Sequence, residues 1–138
     1  MAELEITRDE QDRLLEAAKA AQERAYAPYS KFLVGAAVLA ESGKVYTGCN
    51  VENASYGLTI CAERNAIFHA VASEGPALRL RAVAVSNAQG APCSPCGACR
   101  QVIFEFGPQA VVVFQGEKGF VSRRAAELLP AGFTLGQE

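Results

Sequence analysis

The sequence predicts an α/β protein, a three-layer α/β/α sandwich around a mixed sheet of about five strands. Two observations carry that expectation. Apolar, β-prone runs alternate with segments of helical periodicity in the order α-β-β-α-β-α-β, followed by a weaker strand near Phe120 and a last helix. The first two strands flank "ESGK", a turn signal, and so form an antiparallel hairpin, while strands separated by helices make the sheet partly parallel.

The elements follow in order. Thr7 and Glu10 have the spacing of a capping box, after which Leu14, Ala18, Ala21 and Ala25 recur on one helical face until Pro28. "FLVGAAVLA" and "KVYTGCNV" supply the hairpin strands. A second helix is expected from Cys61 to Glu74, because Gly75 suits a C-cap and Pro76 cannot continue the helix. "LRAVAVSN" reads as a buried strand, "SPCGAC" opens a short helix that Gly107 and Pro108 end, and "AVVVF" reads as another strand. "RRAAELL" is the final helix, before Pro130. The 138 residues fit one domain, 1–138, without repeats or linkers.

Composition narrows the function. Half of the residues are hydrophobic, and 13 basic side chains stand against 15 acidic ones for a net charge of −2. Polyanion binding needs clustered Lys and Arg, and no such block is present, so the expected partner is a small neutral molecule and not a nucleic acid. The N-terminal "MAELEITRDEQ" is acidic and lacks the apolar core of a secretory signal. No apolar run approaches the ~20 residues of a membrane span, so the chain is expected to be cytoplasmic and away from membranes. In that reducing compartment the five cysteines are expected as ligands, catalysts or small core residues rather than disulfides.

Cys96 and Cys99 stand three apart at a predicted helix start, on one face, with Pro95 suited to the turn before them. A helix N-terminus carries partial positive charge and favours thiolates, so two ligands for one ion are ready there. Cys61 opens another predicted helix and is the third candidate. Three protein ligands imply a catalytic zinc with a position left for water; Cys93 or Cys49 as a fourth would close the site into a structural one. A redox pair of Cys96 and Cys99 would leave Cys61 and Glu63 without a role. Glu63 follows Cys61 by two residues and can face the same ion only if Cys61 occupies the helix cap.

"CAERNAI" with "PCGACRQV", and "YSKFLVGAAV" with "GCNVENASYG" upstream, resemble the small cytidine deaminases of nucleoside salvage, from about Tyr26 to Phe133. The resemblance implies one zinc per subunit held by Cys61, Cys96 and Cys99, with Glu63 carrying protons. It implies hydrolysis of free cytidine and deoxycytidine to uridine and deoxyuridine plus ammonia, in a homotetramer. Asn50 and Glu52 match a ribose-binding "NxE" segment, and Phe32 matches a base-contacting aromatic. Arg64 matches an arginine that hydrogen-bonds the ligand thiolates, and Phe133 one that covers a neighbouring subunit's pocket. His69, two helical turns past Cys61, is expected to pack or face solvent, and Cys49 to be a small buried residue.

Overall fold

In the computed structural model, residues 6–135 are described. The first helix, α1 (Arg8–Gln22), starts at the expected box: the Glu10 amide donates to Thr7 Oγ1 and the Thr7 amide to Glu10 Oε1, both at 3.0 Å. It stops before Ala25, where the periodic face had been expected to continue. The backbone there is diverted, because the Tyr26 amide donates to Asn50 O at 3.0 Å and the Glu52 amide to Tyr26 O at 2.8 Å.

Strands β1 (Val34–Ala40) and β2 (Val45–Cys49) form the antiparallel hairpin, with Gly43 at φ 93° in the turn. Strand β3 (Leu80–Asn87) pairs antiparallel with β1, β4 (Val111–Gly116) runs parallel to β3, and β5 (Gly119–Arg124) closes antiparallel on β4. The sheet order is β2-β1-β3-β4-β5. Arg123 and Arg124, expected in the last helix, pair with Val112 and Val111 as the end of β5, so α4 is only Ala125–Leu128.

Alternation along the strands divides the core in two. Ala37, Leu39, Ala82, Ala84 and Val113 face Leu14 and Ala18 of α1 on one side. Ala36, Val38, Val83, Val85 and Val112 face the other side. There they meet Ala62, Ala66, Ile67 and Ala70 of α2 (Ala62–Glu74) and Ile103 of α3 (Gly97–Phe106). The result is the expected sheet covered on both faces. Among the described residues, no helix is long and apolar enough to cross a membrane.

Candidate active site

Two helices begin at one point. Cys61 is the N-cap of α2 and Cys96 the N-cap of α3, each with extended backbone, and their sulfurs stand 3.8 Å apart. Cys99, inside the first turn of α3 and fully buried, completes a group whose three sulfurs all lie within 4.8 Å of one another. In a tetrahedral zinc site with Zn–S bonds of ~2.3 Å, two sulfurs stand about 3.8 Å apart. The observed spacing and the soft donor set fit zinc. Cys93 does not join the group; its amide donates to Gln115 O at 2.9 Å and its half-buried thiol is pushed up in pKa, first by burial.

The thiols differ in charge. Cys61 is lowered to about 5, first by hydrogen bonding with the Cys99 thiol and then by the Arg64 guanidinium, whose Nη2 donates to Cys61 Sγ at 3.4 Å. Cys99 is pushed up by its hydrogen bond with the Cys61 thiolate and by burial. Metal ligation requires all three sulfurs as thiolates, so uptake of a cation would release the protons they still carry. The Arg64 Nε is buried without a hydrogen-bond partner.

Glu63 has 5% of its surface exposed, and burial raises its carboxyl to about 7, with the Cys61 thiolate acting in the same sense. The Glu63 backbone amide and the Cys99 thiol oppose that shift. Cys61 occupies the cap of α2, the placement that the two-residue spacing requires if Cys61 and Glu63 are to face one ion.

The loop from β2 runs beside this mouth because Val51 and Ile60 exchange two backbone hydrogen bonds, each 3.0 Å. Asn50 and Glu52 share a face and both turn onto residues 29–34. Buried Asn50 donates through Nδ2 to Phe32 O and accepts through Oδ1 from the Val34 amide, both at 2.9 Å. Glu52 Oε1 accepts from the Tyr29 and Ser30 amides at 2.9 and 3.1 Å, and its Oε2 accepts from Ser30 Oγ. Its carboxyl is thereby held below the usual range, first by the Ser30 hydroxyl. Glu52 also lines an open cavity of about 390 Å³ with Tyr29, Ser30, Asn53, Tyr56 and Thr59. Phe32 is half-buried on the segment that Asn50 pins.

The remaining candidates lie apart. Phe133 is 65% exposed, with its carbonyl accepting from Gln101 Nε2 at 3.3 Å. His69 is exposed, its Nδ1 3.1 Å from Thr47 O and its ring edge-on to Tyr46. Cys49 is half-buried rather than buried, beside a groove with Ala17, Ala21 and Arg24. Sequence reasoning missed two residues that shape the mouth. Asn65 donates to Cys49 O at 2.8 Å, tying α2 to the end of β2, and Arg100 spans the loop before α3. Neither has a signature in spacing, since most of their partners are backbone carbonyls, which impose no residue type.

Comparison with known proteins meets the same residues. Residues 8–115 match the family described as the cytidine and deoxycytidylate deaminase zinc-binding region. A cytidine deaminase of Sporosarcina psychrophila is 47% identical over 125 residues, covering 89% of this chain and 90% of that relative. The crystal structure of cytidine deaminase from Burkholderia pseudomallei superposes with a TM-score of 0.81 at 49% identity, covering 93% of this chain and 100% of the other. That of cytidine deaminase from Mycobacterium tuberculosis gives 0.78 at 43% identity, over 90% and 97%. With three thiols gathered at two helix starts, a buried carboxyl two residues from one of them, and these likenesses along most of its length, the chain belongs to the zinc-binding cytidine and deoxycytidylate deaminase family.

Proposed function

We propose that this chain hydrolyses free cytidine and deoxycytidine to uridine and deoxyuridine plus ammonia, as a step of pyrimidine salvage. The observation that carries the reading is three thiols clustered at two helix starts, with a buried carboxyl, Glu63, two residues from one of them. Cys61, Cys96 and Cys99 would hold one zinc ion per subunit. Zinc bound there supplies the Lewis acidity that makes water a nucleophile near neutral pH.

Glu63 moves the protons. A carboxyl raised to about 7 can both take and give a proton at the same pH. It accepts one from the attacking water and returns it to the pyrimidine ring nitrogen, as the water oxygen bonds the amine-bearing carbon. The second water proton passes to the amino group, the carbon–nitrogen bond breaks, and ammonia leaves. Arg64, donating to Cys61 Sγ, offsets the excess negative charge of three thiolates. Asn50 and Glu52 hold the sugar and Phe32 packs on the base; of the three, Glu52 lines the open cavity.

The working unit in this reading is a cytoplasmic homotetramer. Five unpaired cysteines suit a reducing compartment. Exposed Tyr56, Leu58, Phe68 and Phe133 supply apolar surface for subunit contacts, with Phe133 reaching a neighbour's pocket.

Glu63→Gln tests the reading, because an amide fills the same space without shuttling protons. The variant should keep its zinc and fold while turnover of cytidine falls ~10²–10⁴-fold. Near-normal turnover at full zinc content would remove Glu63 from the mechanism.

A further inference from the structure

Of the three clustered cysteines, Cys96 has the least obvious support. Cys99 is buried within α3 and Cys61 accepts a hydrogen bond from Arg64, whereas Cys96 is exposed and its side chain makes no capping bond. It also ends an irregular segment that begins after β3. The start of that segment is fixed by Asn87, whose Oδ1 accepts from the Gln89 and Ala91 amides at 3.1 and 3.0 Å. Its middle is fixed by the Cys93 amide on Gln115 O.

The last stretch is held by one guanidinium. Arg100 Nε donates to Pro95 O at 2.7 Å and Nη2 to Ser94 Oγ at 3.0 Å, while Nη1 donates to Leu128 O, the end of α4, at 3.0 Å. Its own amide donates to Cys96 O at 2.9 Å, so the side chain runs back over the turn that presents Cys96. A cation in the first turn of a helix opposes the helix dipole, so helix stability does not account for it. What the position does provide is three divergent N–H donors in one rigid plane, which a guanidinium has and an ammonium lacks.

We propose that Arg100 is a positioning residue of the zinc site: it locks the Ser94–Pro95 turn against α4 so that Cys96 stays beside Cys61 and Cys99. The assignment rests on the zinc reading above. It explains why an exposed thiol at a loop end can keep a 3.8 Å approach to Cys61.

The test is zinc release from the loaded protein into an excess of a chromogenic chelator, measured for the wild type, Arg100→Lys and Ser94→Ala. Thermal midpoints of each are taken with zinc and after stripping. Arg100→Lys keeps the charge and loses the fork; it should release zinc ~10-fold faster or more, the lower end of what residues supporting metal ligands contribute. Its midpoint should fall more in the loaded form than in the stripped one. Ser94→Ala, an exposed change that the fold tolerates, should release zinc faster by a smaller factor. A general structural role would instead lower both midpoints alike and leave release unchanged, and that result overturns the assignment. Should Arg100→Lys not fold, Ser94→Ala decides: faster release supports the lock, wild-type release refutes it. A wild-type protein that takes up no zinc would overturn the functional reading itself and this assignment with it.

Discussion

Cys61 and Cys99 carry the same side chain into opposite electrostatic settings. The Cys99 thiol and the Arg64 guanidinium draw the first toward thiolate, while hydrogen bonding with Cys61 and burial push the second up. Cys93 is set apart by position: it stands outside the sulfur group, with its amide held by Gln115 O. Cys93→Ser should therefore leave zinc content and turnover close to wild type. Metal analysis of the purified variant checks this, and loss of zinc would mean a fourth ligand and a closed site. At this scale the three clustered thiols were legible, because ligand chemistry restricts residue type and spacing. Arg100 was not, since two of its partners are backbone carbonyls, at residues 95 and 128, which any residue could supply.

At the scale of elements, the site depends on how closely β2 approaches the start of α2. Gly48 makes that approach possible: a Cβ there would lie 2.3 Å from the Ala66 amide nitrogen and 2.9 Å from Ala62 O. Both are backbone atoms of the helix that carries Glu63 and is capped by Cys61, so relief requires moving the helix. Gly48→Ala should cost ~1–3 kcal/mol, the usual range for overpacking, and should weaken zinc retention at the same time. Denaturant unfolding together with a chelator challenge would show both; a loss of stability with zinc retention unchanged would separate the helix position from the metal group. Most helix ends were readable because they rest on local chemistry, as with Thr7 and Glu10 or the Gly75–Pro76 stop. The exceptions are set by distant partners. Ala25 leaves α1 where Tyr26 turns to Asn50 and Glu52, and Arg123 and Arg124 are claimed by pairing with β4.

For the whole molecule, the sheet puts α1 on one face and α2 with α3 on the other, which brings two helix N-termini to one mouth. Their partial positive charges favour thiolates and the negative charge that gathers during attack. The chain leaves Tyr56 at 80% and Phe133 at 65% exposure, a surface that the proposed tetramer would cover. Light scattering should find four subunits, and Phe133→Ala should raise KM more than it lowers kcat, because a residue covering a neighbour's pocket acts on binding. A fully active monomer would contradict the shared pocket. The reaction at the centre of all this is cytidine plus water giving uridine plus ammonia at a zinc site. The most direct measurement follows the loss of cytosine absorbance and the release of ammonia when zinc-loaded protein meets cytidine, with stripped protein alongside. The account predicts equal amounts of uridine and ammonia from the loaded protein and neither from the stripped one. Cytidine left intact by protein carrying a full complement of zinc would contradict it.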